Sequence, residues 1–386
     1  MRSRTSERTS RFTESVIREM TRVCARHDGI NLAQGFPDFP APKAMKEAAK
    51  RAIDADVNQY AVTWGAPSLR RAVARRTTEY NGIPTDSERN VTVCCGATES
   101  MIAALMAVLD PGDEVVIFEP FYENYGPDCI LSGAVPRFVR LSPPDWTFDP
   151  DELTAAFGER TRAIIINTPH NPTGKVFTRA ELEHIAGLCV EHDALAITDE
   201  IYEYILYDGA EHVSIGSLPE MRDRTVTISG LSKTWSATGW RVGWCIASEE
   251  ITLAIRKTHD FLTVGAPAPL QEAAAEALCF GPEYFDELAA DYRERRDVLC
   301  EVLADTGFRV YEPRGSYYIM TDISDLTGED DVTFAMRLVE DGGVATVPGS
   351  SFFSNPLPGR TMIRFCFAKR LETLRRAGEA LRRRLS

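Results

Sequence analysis

The sequence predicts an α/β fold: a large domain on a mainly parallel seven-stranded sheet covered by helices, plus a small α+β domain. Three observations carry this. Seven short runs rich in Val and Ile recur at 91–95, 114–118, 135–141, 163–166, 194–198, 225–228 and 242–247. Helical stretches near 97–109, 122–132, 150–157 and 179–192 lie between several of them. After a long charged helix at 282–305 the texture changes to isolated strands, at 308–312, 316–321 and 361–367, with further helices. Short apolar strands alternating with helices are the pattern of a parallel sheet hidden on both faces.

The elements follow in order. The first eleven residues form a polar arm. Phe12, Val16, Ile17, Met20, Val23 and Cys24 then recur at helical spacing, so 12–26 reads as an amphipathic helix. Two more helices open with a proline in the first turn, near Pro42 and Pro67. The strand–helix alternation begins at 90. The division that results is 1–44, an N-terminal arm that joins the small domain; 45–285, the large domain; and 286–386, the C-terminal small domain.

Composition narrows the class. The chain has 386 residues, 44% hydrophobic and 26% charged, which is globular rather than disordered or coiled-coil. A net charge of −14 argues against nonspecific binding to nucleic acid or anionic membranes. Only 7 of the 43 basic residues are Lys, a bias that fits GC-rich coding or a salt-adapted surface. Nine Cys at 24, 94, 95, 129, 189, 245, 279, 300 and 366, without a CxxC pair, suit neither a disulfide framework nor a zinc ribbon. Glu181-x-x-His184 matches half of a di-iron motif, but a solvated helix face accounts for it more simply. The polar N-terminus lacks the apolar core of a secretory signal, and the apolar run Met101–Leu109 is too short to span a membrane. The expectation is a soluble cytoplasmic protein.

In open α/β sheets ligands bind beyond the C-terminal ends of strands, so the polar residues there carry the chemistry. Gly96-Ala97-Thr98 opens a helix whose free N–H groups suit an anion, although an ordinary helix start looks the same. Asn167-Thr-Pro-His-Asn171-Pro-Thr-Gly174 is a rigid loop able to aim the Asn171 amide. Asp199 ends a strand, and Tyr202 follows three residues later. The decisive segment is Thr227-Ile-Ser-Gly-Leu-Ser-Lys233-Thr-Trp-Ser-Ala-Thr-Gly-Trp-Arg241. A rare Lys amid Ser, Gly and Thr after a strand is suited to Schiff-base chemistry, and Arg241 to clamping a phosphate. The spacing is neither a P-loop nor a serine-hydrolase elbow. No Gly-x-Gly-x-x-Gly follows a strand, which argues against a nicotinamide dehydrogenase. Lysine, anion cradle, acid, phenol and amide together form the set that pyridoxal 5′-phosphate requires. Phe121 or Tyr122 is placed to stack on its ring.

At this point the sequence resembles the class I, fold type I aminotransferases over roughly residues 28–370. It is most similar to the kynurenine aminotransferase and glutamine transaminase K branch. Asn31-Leu-Ala-Gln-Gly-Phe-Pro-Asp-Phe-Pro40, Asn58-Gln-Tyr60, Asn167–Lys175, Lys233–Arg241 and Arg364-Phe-Cys-Phe-Ala-Lys369 carry the likeness. The resemblance implies an aspartate-aminotransferase-like fold and an obligate homodimer with shared sites. It implies that Lys233 is the Schiff-base lysine and proton shuttle, that Asp199 pairs with the pyridine nitrogen, and that Asn171 and Tyr202 hold the ring hydroxyl. Tyr122 would stack on the ring. Gly96, Ala97, Thr98 and Arg241 would bind the phosphate, joined by Tyr60 from the other subunit. Arg364 would take the substrate α-carboxylate, with the backbone at Gly35 closing over it. His170 receives no role.

One position departs: many members carry a Ser three residues before the lysine, and here it is Gly230, so Ser232 is the substitute by adjacency. The implied reaction is ping-pong transfer of an amino group from an L-amino acid to a 2-oxo acid. The alternatives are a cysteine-conjugate β-lyase on the same fold and a cofactor-sensing or structural module. Trp64, Phe36 and Phe39 would favour Met, Gln or aromatic donors if they line the pocket rather than the core.

Overall fold

The computed structural model describes residues 4–385, so the first three residues of the polar arm lie outside the described residues. The rest of the arm makes a short 3₁₀ turn at Glu7–Ser10. The elements then run α1 (Val16–Arg26), β1 (Ile30–Asn31), α2 (Lys43–Asp54), α3 (Pro67–Arg76), β2 (Val91–Cys94) and α4 (Ala97–Val108). Next come β3 (Glu114–Glu119), α5 (Tyr125–Leu131), β4 (Val135–Arg140), α6 (Pro150–Ala156), β5 (Thr161–Asn167) and α7 (Arg179–Glu191). They are followed by β6 (Leu195–Asp199), β7 (Thr225–Gly230), β8 (Gly243–Ile246), α8 (Glu249–Thr263), α9 (Ala268–Ala277) and α10 (Pro282–Asp305). The chain ends with β9 (Arg309–Tyr311), β10 (Tyr318–Asp322), α11 (Asp331–Glu340), β11 (Val344–Ala345), β12 (Val347–Pro348), β13 (Met362–Cys366) and α12 (Leu371–Leu385).

The seven expected strands form one sheet in the order β2-β8-β7-β6-β5-β3-β4. All run parallel except β8, which pairs antiparallel with both neighbours. Every residue of β3 and β5 to β8 except Arg162 is buried, as helices on both faces require. From β3 the chain steps out to β4, then returns to lay down β5, β6 and β7 on the opposite side. That reversal opens a crevice beyond the strand ends, the usual ligand position in such sheets.

A separate four-stranded sheet, β12-β13-β10-β9, is antiparallel, and β1 pairs in parallel with β11. The N-terminal segment thus joins C-terminal elements. Helix α1 starts four residues later than its apolar period suggests. The Ser15 hydroxyl caps Arg18 N–H, and the Glu123 carboxylate accepts from Ile17 N–H at 3.0 Å. Those two acceptors satisfy the orphan donors of the first turn. Its Ile17, Met20, Val23 and Cys24 are buried, and a fully buried apolar side chain contributes about 1.5–3 kcal/mol. Helices α8 and α9 were not separately foreseen, because Thr, His and small residues blur their period.

Candidate active site

A cleft of about 420 Å³ opens beyond the C-terminal ends of the sheet strands. Gln34, Gly35 and Phe36 line one side, Ala97 and Thr98 at the start of α4 another, and Tyr122, Asn171, Asp199, Tyr202, Ser232, Lys233 and Arg241 complete it. Most residues expected at the site therefore meet in one place.

Lys233 lies in the loop after β7. Its Nζ donates to the Gly35 carbonyl at 3.2 Å and sits 5.6 and 5.5 Å from the ring centres of Tyr202 and Tyr317. No carboxylate pairs with it among the described residues. Burial is the main reason its ammonium is pulled down to about 8; the charges of Arg241 and Arg364 assist, while Asp199 opposes. An amine with that value is about one-tenth unprotonated at pH 7, far more than an ordinary lysine.

Asp199 ends β6. Its Oδ2 accepts from the Tyr125 hydroxyl at 2.8 Å and its Oδ1 from Ile201 N–H at 3.3 Å. Burial raises its pKa above the ordinary carboxyl value despite those donors. Tyr202 and Tyr318 share a hydroxyl–hydroxyl contact of 3.2 Å, and burial holds both phenols protonated. Tyr122 is set edge-on to Tyr125 and pushed up to about 12 by burial. Tyr125 was not singled out from sequence; its signal is a second phenol three residues after the first, at a helix start.

Gly96 and Arg241 meet at the start of α4. Gly96 has φ +85°, and a Cβ there would stand 2.4 Å from Arg241 Nη2, so only glycine admits the guanidinium this close to the start of α4. Arg241, itself at φ +53°, is steadied by a bond from Nη1 to the Thr238 carbonyl at 2.9 Å. No carboxylate neutralises it among the described residues. The α4 N-terminus has no side-chain cap. Free helix N–H groups beside an uncompensated guanidinium are donors suited to an anion.

Arg364 is fully buried and lies behind Asn171, a residue of the cleft lining. Nη1 donates to Asn171 Oδ1 at 2.9 Å, Nη2 to the Ala33 carbonyl at 2.6 Å, and the guanidinium lies 4.3 Å from the Tyr318 ring centre. Its Nε is buried without a partner. An unsatisfied charged donor costs about 1–3 kcal/mol or more, a cost that an anion reaching it would remove. Gly35 packs directly on Tyr318: a Cβ there would stand 1.8 Å from the Tyr318 hydroxyl oxygen.

Several readings are corrected or resolved. Phe121 faces the core, stacked on Phe138 at 5.2 Å, which leaves Tyr122 as the ring at the cleft. Of the three pocket aromatics, only Phe36 lines this cleft; Phe39 packs against Tyr292, and Trp64 lies under Arg256. Tyr60 is 88% exposed and stands away from this chain's own cleft. Glu181 is not a solvated helix face, since it closes a capping box with Thr178 and binds the buried Lys175 at 2.6 Å. His170 is driven down to about 3 by burial and holds Thr173 rather than facing the cleft.

The departure at Gly230 has a steric cause. It sits opposite Gly243 across β7 and β8, and a Cβ would fall 2.9 Å from both Gly243 Cα and the Val242 carbonyl. Backbone cannot yield as a side chain can. Gly230→Ser is therefore expected to destabilise the protein by about 1–3 kcal/mol in denaturant melts. A variant as stable as the parent would mean that β8 moves aside freely.

A lysine of lowered pKa in one cleft with an acid, phenols and donors suited to an anion fits chemistry on amino and carbonyl groups. Comparison with known proteins narrows this. The chain belongs to the class I and II aminotransferase family, whose model matches residues 27–381, and it is an enzyme of the transaminase class. It is 38% identical over 368 residues to the methionine aminotransferase of Escherichia coli (strain K12), covering 95% of each chain. It is 39% identical over 398 residues to kynurenine–oxoglutarate transaminase 1 of Homo sapiens, covering 95% of this chain and 94% of that one. The solved N-succinyldiaminopimelate aminotransferase of Mycobacterium tuberculosis superposes with a TM-score of 0.95 at 38% identity, over 99% of this chain and all of that one. The architecture is the aspartate-aminotransferase-like fold.

Proposed function

We propose that the cleft holds pyridoxal 5′-phosphate and that the enzyme transfers an amino group from an L-amino acid (Met, Gln or an aromatic) to a 2-oxo acid in two half-reactions. The observation that carries this is Lys233, an amine lowered to about 8 in the cleft that Asp199 and Arg241 also line. When bound, the cofactor supplies a carbonyl for amines and a ring that accepts electrons.

This chain's residues do the rest. Gly96, Ala97, Thr98, Ser232 and Arg241 would hold the phosphate. Asp199, oriented by the Tyr125 hydroxyl, would keep a proton on the ring nitrogen, and buried ionisation becomes favourable once that positive charge faces it. Asn171 and Tyr202 would hold the ring hydroxyl, and Tyr122 would cover the ring face. The Lys233 amine, once free, is the base that moves the substrate α-proton. Arg364 would take the α-carboxylate through its unpartnered Nε, with Gly35 excluding water above it.

Donor choice follows the named activities of the two relatives, methionine aminotransferase and kynurenine–oxoglutarate transaminase. Phe36 at the cleft wall suits an apolar donor side chain. Tyr60, exposed on one chain, supports a homodimer in which it completes the partner's phosphate site. Nine free thiols, and no helix among the described residues long and apolar enough to cross a membrane, support a cytoplasmic setting. A panel of amino donors against 2-oxoglutarate, pyruvate and 2-oxo-4-methylthiobutyrate tests the reading by half-reaction spectra. Met, Gln or aromatic donors should lead. Aspartate outpacing all of them, or pyruvate and ammonia released without an acceptor, would sink it.

A further inference from the structure

Glu99 lies in the first turn of α4, three residues past Gly96. Its Oε2 accepts from Cys95 N–H at 2.9 Å, so it holds the turn by which the chain enters the anion cradle. The same carboxylate faces His259 of α8, with Nδ1 at 2.9 Å from Oε1 and 3.0 Å from Oε2. The other ring nitrogen, Nε2, lies 3.0 Å from the Thr63 carbonyl. A carbonyl oxygen only accepts and a carboxylate faces the opposite nitrogen, so both nitrogens carry protons and the ring is an imidazolium. Burial would depress His259, but the Cys94 thiol and Glu99 push it up to about 10. Cys94, Glu99 and His259 are spaced like metal ligands, yet a ring with both nitrogens donating offers no lone pair to an ion.

Two further contacts give the pair a task. Thr63 and Trp64 form the inner end of the strap that carries Tyr60, and the Trp64 carbonyl accepts from Val93 N–H of β2 at 3.1 Å. The imidazolium therefore touches the strap and, through Glu99, the cradle. Glu99 is also an acid one turn from a place built for an anion, where an uncompensated charge would repel it.

We propose that Glu99 and His259 are positioning residues of the anion cradle: the imidazolium cancels the carboxylate's charge and pins the Tyr60 strap to the same turn. This rests on the reading that the cradle takes the cofactor phosphate.

The test compares affinity of the cofactor-free protein for pyridoxal phosphate and for pyridoxal, which lacks the phosphate. In His259→Gln the uncompensated carboxylate should weaken pyridoxal phosphate about tenfold, the scale of one charge-assisted hydrogen bond, and move pyridoxal less than about twofold. The double variant His259→Gln/Glu99→Gln, with both charges removed, should recover most of that loss. A purely structural role predicts that both ligands weaken together, or that the double variant is no better than the single, and either result overturns the proposal. Should His259→Gln fail to accumulate, His259→Asn is read against the same two ligands: a loss selective for pyridoxal phosphate is expected, and equal weakening of both would overturn the proposal. A parent protein with no preference for pyridoxal phosphate over pyridoxal would overturn the cofactor reading as well.

Discussion

Replacing Lys233 by alanine is expected to lower transamination by at least about 10²–10⁴-fold, the range for losing a positioned acid–base group. The reason is positional. Among the described residues that line the cleft Lys233 is the one lysine, its Nζ 3.2 Å from the Gly35 carbonyl and 5.6 and 5.5 Å from the ring centres of Tyr202 and Tyr317. The other cations lining the cleft, Arg18 and Arg241, are guanidinium groups, which are poor general bases. The variant should still bind the cofactor through the cradle, but with altered visible absorption, so spectra and rates are read on the same sample. A wild-type rate from the variant would refute the mechanism. In the parent, cofactor attachment should speed up as pH rises through about 8, where the amine loses its proton. The same shift acts on stability. The unfolded chain holds its proton up to 10.5, so between about 8 and 10.5 it binds more protons than the fold, and Lys233's cost to the cofactor-free protein shrinks as pH rises.

The parts of this site that were legible in sequence are those set by local order. Asp199 is the last residue of β6, and Lys233 and Gly96 each stand within three residues of a strand end. A parallel sheet brings such positions to one edge whatever the loops do. Asn167 and Asp199 are register partners, so the Asn167–Gly174 loop is delivered beside Asp199 by pairing alone. What stayed hidden depends on contacts between distant segments. Adjacent residues such as Phe121 and Tyr122 point to opposite sides, and only packing against Phe138 shows which one turns inward. Tyr318 comes from the small antiparallel sheet, over one hundred residues from Tyr202, and no local pattern announces that pair. The burial of Arg364 behind Asn171 likewise depends on how β13 meets the loop after β5. Gly230 is instructive because the motif showed the departure but not its cause, which lies in the β7–β8 register.

Asp199→Asn is expected to separate function from stability. Activity should fall by about 10²–10³-fold, the typical loss when one preorganised electrostatic group is removed, because a neutral amide does not favour a proton on the ring nitrogen. The cofactor-free variant should nonetheless melt higher than the parent at neutral pH. Burial raises the Asp199 pKa in the fold, outweighing the Tyr125 hydroxyl and the Ile201 N–H. An acid with a raised folded value binds its proton more tightly in the fold than in the unfolded chain. Stability therefore falls as pH rises above about 3.9, the ordinary Asp value, and at pH 7 the buried carboxylate is a net cost. Asparagine keeps an oxygen for the Tyr125 hydroxyl and carries no charge, so it lifts that cost while retaining the contact. Melting curves of cofactor-free parent and variant should diverge at pH 7 and converge toward pH 4. Bound cofactor should narrow the gap, because a protonated ring nitrogen compensates the parent's carboxylate and leaves the variant without a partner charge. A variant that is both active and no more stable would mean that Asp199 is solvated rather than held dry beneath the cofactor. The cost of that dry carboxylate is what the site accepts in exchange for holding the ring nitrogen protonated.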